Sequence, residues 1–282
     1  MSKISLIINA VKYFLILVVL GFFLFPIYWI FRLSLAPQSL VYDPSKFFFI
    51  PTLKYYKEIL FSRTFIFSMN YTHYFLNSLI VSTLSTAMAL IIGALAAYAF
   101  ARFKFKGSSN FEFYILSALF APPAAFIVPI FLLLRTFGLL DTQFGLALVY
   151  LIFNIPFTTW MLKSIFREIP VEIEEAAMID GCSRLQVLTK VTLPLARTGI
   201  GAAAIFDIIL SWNEYTFASV LTSTRATTLP VTLGTFVSSG VKPIYWGYAA
   251  ASAVLVMLPM IILAFIIQKH LVRGLTLGAV KG

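Results

Sequence analysis

Long uncharged stretches alternate with short polar ones along this chain, and the length of each stretch predicts what it does. A helix rises 1.5 Å per residue, so about 20 apolar residues cross the ~30 Å hydrocarbon layer of a bilayer. Five stretches free of Asp, Glu, Lys and Arg reach that length: 13–31, 74–101, 113–134, 142–162 and 243–268. A sixth runs from Thr198 to Leu221, interrupted by Asp207 and Glu214, and a crossing is needed there if the flanking loops are to fall on consistent sides. The pattern predicts an all-α membrane protein of about six transmembrane helices. The uncharged run Tyr13 to Phe31 exceeds a signal-peptide core and lacks a small-residue cleavage site, so it is read as a retained first span. Prolines 122, 123, 129, 156 and 259 fall inside the spans and remove donors that lipid cannot replace, which predicts a packed bundle with some bent helices.

The polar stretches carry structure too. Pro37, Pro44 and Pro51 argue against a continuous helix over 36–72, where an external loop and a short amphipathic helix near 52–62 are expected. The internal loop 163–197 is patterned like folded helix. Pro170 suits a helix start, Glu172, Glu174 and Glu175 fill the first turns where the dipole favours negative charge, and Gly181 suits the end. Ser183-Arg184-Leu185-Gln186 then fits a capping box opening a second helix, which Pro194 is expected to end. The division that follows is 1–72 for the first span and external loop, 73–272 for a five-helix core carrying the 163–197 loop, and 273–282 for a tail.

Composition changes the picture in one respect, the solvent. The 282 residues are 60% hydrophobic and only 11% charged, whereas soluble domains are about a quarter charged. The net charge of +10 fits Lys and Arg gathered in cytoplasmic loops. Arg102, Lys104 and Lys106 crowd one such loop, and Lys163, Arg167, Arg184, Lys190 and Arg197 another, while 135–141 offers only Arg135 with Asp141. Both termini are therefore expected in the cytoplasm of a multi-pass cell-membrane protein, although Lys46, Lys54, Lys57 and Arg63 narrow the bias from the external side. Basic residues alternate with aromatics only in the short Arg102-Phe103-Lys104-Phe105-Lys106 loop and form no longer tract, which argues against nucleic acid as a partner. The lone Cys182 allows no intramolecular disulfide.

Polar groups inside the spans are the candidate chemistry. Asp207 lies deep in the sixth stretch and must meet a partner or water, either as a protonated structural acid or as part of a pathway. Asn213 and Glu214 lie nearer the external end, beside Trp212 and Tyr215 that suit an interface belt, and favour fixing the bundle over solute contact. Asn77 and Asn154, with Thr158 and Thr159, could hold helices together or line a pathway. His73 and His270 fall at opposite ends and no H-E-x-x-H occurs, which speaks against a zinc or serine–histidine enzyme. There is no Gly-Lys dipeptide and so no P-loop; energy for transport would come from another chain or an ion gradient.

On the inner loop, Ala176 and Ala177 beside Ile173 offer a low face that another surface could approach, with the glutamates and Asp180 at its rim. The same segment would also suit a linker resting on its own bundle. Glu175-Ala176-Ala177, then Gly181, then Val191 and Leu193-Pro194 resembles the EAA signature of ABC importer permeases, with valine for the usual isoleucine and Cys182 for a frequent alanine. Phe25-Pro26-Ile27-Tyr28-Trp29, Asn77-Ser78, Ala97-Tyr98-Ala99-Phe100-Ala101-Arg102, Trp212-Asn213-Glu214 and the tail Gly274-Leu275-Thr276 to Gly278-Ala279-Val280-Lys281-Gly282 look like the maltose-permease, MalG-like branch. The resemblance implies a type I importer (MetI-like) architecture that forms half of a pathway for a sugar or polyol. It also implies a second related permease, two ATPase subunits and an external solute-binding protein as partners. No cofactor would be bound by this chain, with ATP and Mg on the ATPase. By the same resemblance Glu174, Glu175, Ala176, Ala177, Asp180, Gly181, Leu193 and Pro194 would dock the ATPase. The competing reading is an ion-coupled secondary transporter using Asp207 and Glu214, which would need no docking loop.

Overall fold

Without water to satisfy backbone polar groups, an apolar chain in a bilayer folds as helices. The computed structural model describes residues 3–43, 45–61, 70–120, 122–237 and 245–278, and among these there is helix but no strand. Pro44, Arg63 and tail residues 279–282 lie outside the described residues. In order, the elements are α1 (Lys3–Leu35), α2 (Lys54–Phe61), α3 (Tyr71–Arg102), α4 (Ser108–Ser117), a 3-10 turn (Ala118–Phe120), α5 (Pro123–Thr136) and α6 (Gln143–Glu168). There follow α7 (Val171–Ile179), α8 (Arg184–Val187), a π turn (Leu188–Thr192), α9 (Leu193–Leu195) and α10 (Arg197–Trp212). The last are α11 (Thr216–Leu221), α12 (Leu229–Val237) and α13 (Trp246–Gly278).

Four helices are long and apolar enough to cross a membrane unbroken: Ile8–Leu35, Tyr71–Arg102, Gln143–Glu168 and Trp246–Ile266. Two bent pairs bring the number to as many as six. Ser108–Phe120 meets Pro123–Thr136 at 95°, so the expected span 113–134 is broken. Pro122 adopts φ −67°, ψ 122°, the extended conformation that a following proline enforces, and Pro123 starts the next helix. Arg184–Leu195 meets Arg197–Trp212 at 81°. Pro194 is therefore followed by a bend at Ala196 and not by a loop. The stretch predicted from 198 to 221 is also divided, because α10 stops at Trp212 and α11 begins afresh at Thr216. Pro129, Pro156 and Pro259, in contrast, lie within continuous helix.

Two further boundaries move. α6 runs on to Glu168, so Lys163 is not a loop residue; it is buried and ion-paired with Glu112. α13 continues to Gly278, so the tail expected from 273 begins inside a helix.

The chain forms two compact units. One comprises Met1–Tyr71 with Thr232–Leu258. Its core gathers Ala36, Val41, Tyr55, Ile59, Phe236 and Tyr248, with the Tyr55 and Tyr248 rings 4.8 Å apart. Most of α1 is exposed on every side, for example Phe14, Leu17, Phe22 and Phe23, a surface suited to lipid or another membrane chain. Near its end Arg32 is buried under aromatic rings, with its guanidinium 4.9 Å from the centre of Trp29 and 5.2 Å from that of Phe49.

The second unit, Thr72–Val231 with Pro259–Gly282, contains the candidate residues. α3, α6 and α10 approach closely through small side chains: a Cβ on Gly93 would sit 2.7 Å from Thr158 Cγ2. One apolar cluster joins Val81, Leu146, Tyr150 and Phe217, and another joins Ala97, Tyr98, Leu162, Phe166, Leu188 and Ala203.

Candidate functional site

The segment 171–195 forms two short helical elements about a tight turn. Asp180 N donates to Ala176 O, Gly181 N to Met178 O and Cys182 N to Ala177 O, at 3.0, 3.1 and 3.0 Å. The last two bonds are the Schellman pattern that closes a helix with a left-handed residue. Gly181 supplies that residue at φ +90°. Ser183 then opens α8 through a reciprocal capping box: its hydroxyl accepts from Gln186 N, and the Gln186 side chain accepts from Ser183 N at 2.8 Å. Both local signals therefore produce the structure their spacing predicts.

Glu175, Ala176, Asp180, Gly181 and Pro194 are exposed, whereas Ala177 and Leu193 are half-buried and Leu193 packs toward the bundle. Ile179 and Leu185 flank the turn at 86% and 62% exposure, apolar side chains left uncovered by the rest of this chain.

Glu174 is a correction to the expected rim of acids. It is only 1% exposed and points inward. Arg102, the last residue of α3, approaches it with both Nε and Nη2, at 3.0 and 2.9 Å. Tyr98 donates to the same carboxylate at 3.1 Å and Thr192 at 2.8 Å. Arg102 Nη2 also donates to Ile169 O at 2.9 Å, the residue that ends α6. Burial by itself opposes ionisation of Glu174, but the donors of Arg102 and Thr192 outweigh it and hold the carboxyl below its ordinary range.

The other candidate polar residues are spread through the same unit. Asn77 is buried; its amide donates to Arg225 O and Thr227 O at 2.8 and 2.9 Å and accepts from Gln143 at 2.7 Å. Asn154 bridges α3 and α10 by donating to Ser85 Oγ and Ser211 Oγ, at 2.9 and 2.7 Å. One turn further along α6, Thr158 donates to Asp207 Oδ2 at 2.5 Å. Asp207 is fully buried, and its Oδ1 has no partner among the described residues. Asn213 is exposed and donates to Ile209 O at the end of α10. Glu214 accepts from Phe217 N and Ala218 N at 2.9 and 3.1 Å, so its carboxylate caps α11. Trp212 is 2% exposed and packs edge-on to Phe75, in the interior and not in an interface belt; Tyr215 is the exposed member of that pair.

Residues 89–277 match the family described as binding-protein-dependent transport system inner membrane component. The chain belongs to that family. This permease is 38% identical over 269 residues to the trehalose transport system permease protein SugB of Mycobacterium tuberculosis, covering 94% of each chain. It is 33% identical over 284 residues to the trehalose/maltose transport system permease protein MalG of Thermococcus litoralis, covering 100% of this chain and 98% of that one. Its fold is similar to a solved chain of a bacterial ABC transporter involved in import of the acidic polysaccharide alginate. That match has a TM-score of 0.76 and 26% identity, and covers 95% of this chain and 98% of the other.

One organising residue of the permease had no sequence signal beyond a charge in a short loop. Asp141, at φ +55°, accepts from the backbone N–H of Ser223, Thr224, Arg225 and Ala226 and from the hydroxyls of Ser223 and Thr224. The Gln143 and Asn77 bonds hold the neighbouring part of the same loop, so the 222–228 stretch is fixed by side chains 80 and 150 residues away in sequence. A long-range carboxylate cap of this kind has no local motif.

Proposed function

We propose that this chain is one permease subunit of an ATP-driven importer for a sugar or related polyol, forming half of the translocation pathway. Residues 171–195 dock a separate ATPase on the cytoplasmic side. The observation that carries the docking reading is the turn itself. Exposed Ala176, left-handed Gly181 and uncovered Ile179 and Leu185 are presented outward, while the opposite face is anchored by Glu174. The solute class is supported by relatives named for trehalose and maltose and by the alginate importer. Membership of a binding-protein-dependent family supports a solute-binding protein outside, a second related permease beside this one, and two ATPase subunits inside. Both termini then lie in the cytoplasm. The ion-coupled alternative loses one of its two carboxylates, since Glu214 is occupied in capping α11.

The test is Ala177→Phe in the assembled transporter. Overpacking a fitted contact costs about 1–3 kcal/mol, so recovery of the ATPase with the permease and uptake of labelled sugar should fall together while membrane insertion persists. Unchanged recovery and uptake would remove the docking role. Uptake of labelled trehalose, maltose and a polyol in the wild-type assembly tests the solute, and transport of none of them would overturn the class.

A further inference from the structure

Of the ionic contacts among the described residues of the second unit, the pair Arg102–Glu174 is the most enclosed, with side-chain exposures of 5% and 1%. Charges taken out of water are held only where geometry and further hydrogen bonds compensate. Here both carboxylate oxygens are used: Oε1 accepts from Arg102 Nη2 and Thr192, and Oε2 from Arg102 Nε and Tyr98. Because Arg102 also grips Ile169 O, one ion pair ties together the end of α3, the end of α6, the start of α7 and the π turn that follows α8. Single π turns in helical segments recur at functional sites, and Thr192 closes this one. Arg184, the first residue of α8, lies 5.6 Å from the centre of the Phe103 ring, adding a second contact between the same two regions.

The remaining contacts across this junction differ in kind. Leu188 and Ala196 lie among Ala97, Tyr98, Leu162 and Phe166, and apolar contacts of that sort are non-directional. A forked guanidinium–carboxylate pair fixes register as well as proximity. α3, moreover, is a long helix. Its 32 residues span roughly 48 Å. Along the way Ser85 accepts from Asn154 of α6, and near the far end Asn77 and Ser78 hold 225–229. A displacement imposed on α7 is therefore delivered to a rod already bonded to α6 and to the loop before α12.

We infer that Arg102 and Glu174 are positioning residues for transport, the tie that carries movement of the 171–195 segment into α3, and that they are not part of the surface the ATPase touches. The inference rests on the docking reading above and goes one step inward from it. Glu175, 100° further round α7, remains on the outer face.

The experiment uses the complete transporter in proteoliposomes, with ATPase recovery, ATP hydrolysis and sugar uptake measured on the same preparation. Glu174→Gln keeps the size and removes the charge. The ATPase should still be recovered at the wild-type ratio, while uptake per ATP hydrolysed falls about fivefold or more, the lower end of ordinary coupling between sites. Glu174→Asp should restore part of that ratio. Wild-type uptake per ATP in Glu174→Gln would overturn the inference. Loss of ATPase recovery to the level of Ala177→Phe would overturn it as well, by placing Glu174 at the docking surface. If Glu174→Gln fails to accumulate, Arg102→Lys carries the test: the charge stays and the fork and its Ile169 bond go, with the same fall expected and the same two results excluding it. The docking reading itself fails separately, through Ala177→Phe with unchanged recovery, whatever Glu174→Gln does.

Discussion

Gly181 separates two explanations for the same loss of function. It sits at φ +90°, and a Cβ built there meets nothing within 4 Å. Steric room in this chain is therefore not the constraint, and the cost of a side chain is one of backbone conformation. A β-branched residue held in the left-handed region costs about 1–3 kcal/mol, which is ~5–150-fold in the population of the closed turn. Gly181→Val should thus loosen the two turn bonds from Gly181 N and Cys182 N and misplace Ser183, the cap of α8. Asparagine tolerates the left-handed conformation far better, so Gly181→Asn should retain most of the function. Co-purification of the ATPase and sugar uptake report both variants, and hydrogen exchange at residues 180–187 reports the turn directly. If Asn and Val are equally damaging while exchange at the turn is unchanged, the reasoning from backbone strain is wrong, and the glycine is there to let another surface reach the chain.

Three further outcomes are expected. Asp141→Asn should weaken the hold on 223–226 by about 1.5–3 kcal/mol, the usual worth of hydrogen bonds to a charged group, and raise amide exchange there. Burial raises the Asp141 pKa, but the backbone N–H groups of Arg225, Ser223 and Ala226 outweigh it and hold it below the ordinary 3.8; its contribution is complete above that value and is lost only as the pH falls through the lower folded value, so wild-type protection of 223–226 that disappears between pH 7 and pH 5 would contradict this account. Asp207→Asn should transport far better than Asp207→Leu, since only the first can still accept from Thr158; abolished uptake in well-inserted Asp207→Asn would mean that the ionisable group itself is required. In a Cys182→Ser background, an impermeant thiol reagent applied from outside should label Ser223→Cys and not Ser183→Cys, both exposed positions, and the reverse pattern would invert the topology.

The spans were legible because a bilayer asks for one thing, an uncharged run of sufficient length. The breaks in them were legible only in part. Pro129, Pro156 and Pro259 stand out in the sequence as clearly as Pro122-Pro123, yet only the double proline breaks its span, because the first of two adjacent prolines is driven to extended backbone. α10 ends at Trp212 for a reason outside itself: Glu214 starts a new helix by taking the N–H groups of Phe217 and Ala218. Lys163 reads as loop in the sequence because an uncompensated charge would end the span. Glu112, from α4, lets the lysine stay inside.

The local signals of the candidate site, the glycine turn and the capping box, needed only neighbours in sequence and so could be read there. The orientation of α7 could not. Its nine residues carry apolar side chains and glutamates with no clear period, and adjacent residues differ by 100° in direction, so nothing local decides whether Glu172, Glu174 or Glu175 turns inward. The rule that apolar groups face inward would have buried Val171, Ile173 and Ile179; these are 45%, 44% and 86% exposed, and Glu174 is buried in their place. Arg102, 72 residues earlier, makes that inversion tolerable by compensating the carboxylate. A helix with one of its three acids inside and its isoleucines outside suits an element whose inner contact is a fixed ionic anchor and whose outer contact is a second protein.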